Sequence, residues 1–88
     1  MFRVWGRIWK ENRLQRDAMY EEESDDTRTH KVFRALEQLC YQLDLSVPVW
    51  LDTNIVQFRR HASTRFTQDN FIELIDFDAF EITLVEED

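Results

Sequence analysis

Val32, Phe33, Leu36, Leu39, Cys40 and Leu43 fall at i, i+1, i+4, i+7, i+8 and i+11, a single apolar stripe along a helix of about 3.6 residues per turn. Arg28, Lys31, Arg34, Glu37, Gln38 and Gln42 fall largely on the other side. A helix with one apolar stripe must lay it on another element, so this segment needs a partner layer elsewhere in the chain. Its ends are marked. Asp26 or Thr27 can cap the start, behind carboxylates that suit the positive end of the helix dipole. Pro48 cannot continue the helix, which is expected to stop near Asp44.

The partner layer is supplied by period-two segments at both ends of the chain. Phe2, Val4, Gly6 and Ile8 face one way and Arg3, Trp5, Arg7 and Trp9 the other, so residues 2–9 read as a strand. Its second face is an Arg/Trp ladder in which guanidinium groups can lie over indoles. Gly6 in mid-strand suggests a bulge or a close bulky neighbour. Lys10 to Arg13 is a polar turn, and Leu14 to Glu21 returns as a second strand with Leu14, Arg16, Ala18 and Tyr20 on one face. Near the C-terminus, residues 78–85 alternate again, with Phe80, Ile82 and Leu84 inward and Glu81, Thr83 and Glu86 outward; Glu87 and Asp88 are expected to fray. Between these lie an acidic connector from Glu21 to Asp26, an extended plug from Val49 to Leu51, and a shorter helix over about residues 54–62. Asp52 or Thr53 can cap that helix, with Ile55, Phe58 and Ala62 inward. Ser63 to Asn70 reads as loop or one helical turn, and Phe71 to Ile75 fits helix or strand.

The predicted fold is a small single α+β domain spanning residues 1–88, ordered β-β-α-α-β. It has a three-stranded, mainly antiparallel sheet in the order 2-1-3, a right-handed crossover through the helices, and helices on one face. In that order Arg3 and Arg7 can meet Asp78 and Glu81 across strands. A chain of 88 residues buries only about 60–65% of its unfolded surface, which makes it marginal alone and favours a homo-oligomer.

The run Pro48-Val49-Trp50-Leu51-Asp52-Thr53-Asn54-Ile55, then Phe58-Arg59-Arg60-His61, then Thr64-Arg65-Phe66-Thr67-Gln68-Asp69-Asn70-Phe71-Ile72-Glu73, is distinctive. Val4-Trp5-Gly6 near the start, and Ile75-Asp76-Phe77-Asp78 and Val85-Glu86-Glu87-Asp88 near the end, complete the pattern. Over essentially its whole length the chain resembles a family of short acidic proteins from anaerobic Gram-positive, clostridial-type bacteria. That resemblance implies a lineage and no activity, substrate or cofactor.

Charge sets the functional question. The formal net charge is -7, yet residues 53–68 hold no carboxylate and carry Arg59, Arg60, His61 and Arg65 beside Phe58 and Phe66. Arginine forks match carboxylates and phosphates, so the cluster is a candidate partner- or anion-binding patch. The alternative is a set of internal salt bridges to Asp52, Asp69, Asp76 and Asp78, with Arg59 the buried member and Arg60 the exposed one. Trp5, Trp9 and Trp50 are candidate interface residues, because a sheet with apolar residues on both faces needs cover on both. An acidic chain argues against nucleic acid, and no apolar run approaches the roughly 20 residues that span a bilayer.

Metal, cofactor and catalytic residues are not indicated. His30 and Cys40 point apart on the first helix, and Cys40, the only cysteine, suits a buried apolar position. Ser63, His61 and Asp69 are near in sequence, but no glycine-rich loop shapes an oxyanion hole or a phosphate cradle, since Gly6 is the only glycine. The lone cysteine and the absence of an apolar signal-like run give a cytoplasmic expectation. The function expected is a small interaction or self-associating module without catalysis. The alternative is a weak anion or nucleic-acid binder acting through the arginine cluster.

Overall fold

The computed structural model describes residues 1–87. The elements are β1 (Phe2–Lys10), β2 (Arg13–Glu22), α1 (Arg28–Leu43), α2 (Asp52–His61), β3 (Ser63–Phe66), a 3-10 turn (Gln68–Asn70) and β4 (Ala79–Glu86). Among the described residues the strands form one sheet in the order β2-β1-β4-β3, with every neighbouring pair antiparallel. The α+β class and the central place of β1 match the sequence expectation, but the sheet has a fourth strand. Phe66, fully buried, and Thr64 alternate with Ser63 and Arg65 over a segment too short to reveal its period. Ala62, in the left-handed region at φ 54°, turns α2 directly into it.

The β1–β2 hairpin closes through Glu11 and Asn12, both with positive φ, a two-residue turn whose twist suits the strands. Asp78 steadies it by accepting the Glu11 N–H at 2.7 Å. Phe2, Val4 and Ile8 point to the helices and are buried. Gly6 lies among them because a Cβ there would sit 3.1 Å from the Phe80 ring and 3.2 Å from Leu39. A register shift after Ile8 sets Leu14 opposite Trp9, so Leu14 leaves the face it was expected to share with Arg16, Ala18 and Tyr20.

Thr27 caps α1, accepting the His30 N–H, and Asp44 ends it in the left-handed region. Val32, Ala35, Leu36, Leu39, Cys40 and Leu43 form its buried stripe. Two positions depart from expectation. Lys31 is buried, its ammonium 5.5 Å from the Phe2 ring centre, and Phe33 stays nearly half exposed at the edge of the stripe. Arg16 reaches over to donate to the Leu43 carbonyl at 3.0 Å, satisfying an open helix end. The acidic connector is locked by Arg34, which forks onto Glu22 at 2.7 and 3.0 Å and meets Asp26 at 3.0 Å.

Both helices cover the same face of the sheet, and the core lies between them and Phe66, Phe80 and Ile82. The chain from Phe71 to Asp78 is an irregular loop, neither helix nor strand. Glu87 pairs with Arg28 at 3.2 Å rather than fraying; Asp88 lies outside the described residues.

Candidate functional site

A groove of about 360 Å³ opens between the first turns of α1 and the length of α2. Its floor is Val32, Phe33, Trp50 and Phe58, and Arg28 and Arg59 stand at its lips. Trp50 is placed by a buried polar staple. Asn70 exchanges bonds with the Val49 backbone, its side-chain Nδ2 donating to the Val49 carbonyl at 2.7 Å and its backbone carbonyl accepting the Val49 N–H at 2.7 Å. Asn70 Nδ2 also donates to Asn54 Oδ1 at 2.7 Å, and Asn54 Oδ1 accepts the Leu51 N–H at 3.1 Å. Asn54 Nδ2 donates to Thr64 Oγ1 at 2.8 Å and to the Arg65 carbonyl at 2.9 Å. The plug, the start of α2, β3 and the 3-10 turn are thereby tied together beneath the groove.

Trp50 then packs edge-on to Phe66, Phe58 and Phe33, at centroid distances of 5.1, 5.8 and 6.1 Å. Its indole N–H is buried and has no acceptor among the described residues. Arg28 lies 5.8 Å from the Phe58 ring centre while pairing with Glu87. Arg59 is exposed, and among the described residues its guanidinium has no carboxylate or hydrogen-bond partner.

This overturns the expectation that Arg59 is the buried, paired arginine. The buried stripe of α2 is only Asn54 and Phe58, one residue wide. Ile55 and Arg59 each follow a stripe residue and so turn about 100° away from it, onto the flank facing α1. Arg60 and His61 are exposed at the last turn of α2. Nor does the expected hub with Asp52, Asp69, Asp76 and Asp78 form among the described residues. Arg65 instead crosses to the other face of the sheet and meets Glu81 at 3.6 Å while remaining more than half exposed.

Among the described residues that other face carries no helix. There the Arg7 guanidinium lies 4.1 Å over Trp5 and 5.7 Å from Trp9, and Arg65 lies 5.6 Å from Trp9. Glu81 accepts from Trp9 Nε1 at 2.9 Å and pairs with Arg7 at 3.1 Å. Thr83 Oγ1 accepts from Arg7 at 2.9 Å, and Asp17 accepts from Trp5 Nε1 at 2.9 Å. The cross-strand pairing foreseen for Arg7 and Glu81 is present. Arg3 instead meets Glu21 at 2.9 Å and Glu86 at 3.3 Å, and Asp78 serves the hairpin.

The seven candidate residues therefore divide. Arg59 and Trp50 meet at the groove, Trp5, Trp9 and Arg65 build the open sheet face, and Arg60 and His61 stand apart from both. Ser63 bonds to Thr83 at 3.0 Å on the open face. Cys40 is buried, and burial pushes its thiol up to about 12. Among the described residues no three of His, Cys, Asp and Glu come together as metal ligands. Arg28, Phe33, Asn54 and Asn70 were missed as site residues. The spacing of Arg28 and Val32–Phe33 on one helix flank was the available signal for the first two. No protein-family model, curated protein or solved structure matches the chain.

Proposed function

We propose that this protein is a non-catalytic interaction module whose groove between α1 and α2 accepts an apolar side chain flanked by carboxylates. The observation that carries the reading is Arg59, an exposed cation with no partner among the described residues, at the lip of an aromatic-floored groove in a chain of net charge -7. An exposed cation beside apolar surface offers two complementary contacts at once. The apolar floor supplies burial, and the arginine forks select a carboxylate. A cytoplasmic setting and kinship with short acidic clostridial-type proteins belong to the same proposal. No helix is long and apolar enough to cross a membrane.

The open sheet face ranks second. Leu14 and Met19 beside Trp9 and Trp5 leave it apolar enough to meet a second copy, but its cations Arg7 and Arg65 are already engaged with Glu81. An anion or nucleic-acid site made jointly by Arg59, Arg60, His61 and Arg65 has less support, because Arg59 and Arg65 lie on opposite sides of the sheet.

The test is anisotropy of a labelled peptide alternating leucine and glutamate. Arg59→Glu is expected to weaken binding on the order of tenfold or more, a loss of about 1.4 kcal/mol. Arg60→Glu is expected to change it little. Equal losses at both positions would mean that general charge, not the groove, holds the peptide.

A further inference from the structure

We infer that the natural occupant of the groove is the irregular loop Phe71–Phe77 of a second copy of this chain, which joins copies head to tail. The inference rests on the groove reading above and names the ligand.

The loop is built to present two side chains. Ile72 is 99% exposed and Leu74 is 91% exposed, the two most exposed large apolar residues of the chain. Neither exposure comes from a loosely tethered segment. Phe71 is buried and closes the base of the loop edge-on to Phe77 at 5.8 Å. Gln68 Nε2 donates to the Glu73 carbonyl at 2.8 Å, and Gln68 Oε1 accepts the Ile75 N–H at 3.0 Å. The Ser46 hydroxyl donates to the Glu73 carboxylate from the segment after α1. A loop tied at these points meets a partner with little ordering cost.

Its chemistry is the complement of the groove. Ile72 and Leu74 match the floor of Val32, Phe33, Trp50 and Phe58. Glu73 lies between them in sequence and Asp76 two residues after Leu74, carboxylates suited to Arg59 at one lip of the floor; Arg28 at the other lip pairs with Glu87.

The loop cannot fill its own groove. It packs beside Asp44, Leu45 and Ser46 at the C-terminal end of α1, whereas the groove lies at Arg28–Phe33. From Val32 to Asp44 the helix axis runs about 18 Å, at roughly 1.5 Å per residue. Donor and acceptor surfaces are different patches, so the contact is heterologous and adds copies until a ring closes. A single loop in a groove falls well short of the roughly 1,200 Å² of a stable interface, so association is weak and concentration-dependent.

The test is sedimentation velocity on the full chain over a rising concentration series, with two surface variants. Leu74→Glu removes the donor and keeps the groove. Arg59→Glu removes the acceptor and keeps the loop. Wild-type mass is expected to rise with concentration. Each variant alone is expected to stay monomeric, and an equimolar mixture to form a dimer that grows no further. Circular dichroism on each variant confirms that it is folded. A monomeric wild type over the whole series overturns the inference. So does association that survives in both variants, which would move the contact to the sheet face. In either case the leucine–glutamate peptide separates the two levels. If it still binds at Arg59 the groove reading stands without this occupant, and if it does not, both fall.

Discussion

Replacing Asn54 by alanine is predicted to be among the most damaging single changes available outside the apolar core. Asn54 is 3% exposed, and its side chain makes four hydrogen bonds, to Leu51, Thr64, Arg65 and Asn70. A buried bond contributes about 0.5–1.5 kcal/mol net, so the four together are worth about 2–6 kcal/mol. Thr64 and Asn70 keep other partners, Gln57 and Val49, which places the expected loss in the lower half of that range, about 3 kcal/mol. At about 4–8 °C per kcal/mol for a domain of this size, the melting temperature should fall by roughly 12–24 °C. The chain as a whole has only about 4–13 kcal/mol to lose, at about 0.05–0.15 kcal/mol per residue. Asn54→Asp sharpens the test. It keeps both acceptor contacts but cannot donate when ionised, and it turns a buried charge toward the Arg65 carbonyl. It should be at least as destabilising at neutral pH and recover partly in acid, where the protonated carboxyl can donate once. Thermal and urea unfolding followed by circular dichroism would measure both. A fall of less than about 4 °C for Asn54→Ala would refute the reasoning, since it would mean that the staple does not hold the plug, α2 and β3 together.

Gly6→Ala places a methyl 3.1 Å from the Phe80 ring and 3.2 Å from Leu39, and overpacking of this kind costs about 1–3 kcal/mol, readable as a lower urea midpoint. Cys40 is expected to resist a thiol reagent in the native state and to react on unfolding. Because burial raises its folded value from 9.0 to about 12, its contribution to stability is complete below about pH 9 and declines as the pH rises toward 12. Fast native labelling would contradict both statements. The carboxyl of Asp26, held down to about 2 by His30, the Thr27 N–H and Arg34, contributes stability that is present above its ordinary value of 3.8 and is lost as the pH falls toward 2. The Arg34 fork also holds Glu22 well below the usual range, so Arg34→Ala should flatten the acid limb of a urea-midpoint profile.

The elements that announced themselves were those with a long period. The stripe of α1 and the alternation of β1 and β4 repeat often enough to fix type and facing. β3 did not, because four residues give only two repeats and its strand state comes from pairing with β4. Phe33 and Lys31 sit on the boundary of the stripe, where a shift in helix rotation decides burial. The arginine cluster misled for a related reason. Four basic residues close in sequence straddle a helix end and a strand, and the turn at Ala62 sends Arg65 to the opposite side of the sheet from Arg59. Asn54 and Asn70 carried no signal, since a buried asparagine differs from a solvated one only in the partners that the fold brings to it.

The groove claim is tested most directly by the three indole N–H resonances in a nitrogen-15 correlation spectrum of the full chain. Trp50 floors the groove, while Trp5 and Trp9 lie on the open sheet face and donate to Asp17 and Glu81. Titration with the leucine–glutamate peptide should move the Trp50 indole signal and the amides of Phe33, Ile55 and Arg59, leaving the Trp5 and Trp9 indoles in place. Movement of the Trp5 and Trp9 signals with Trp50 unchanged would contradict the account and transfer the binding site to the sheet face.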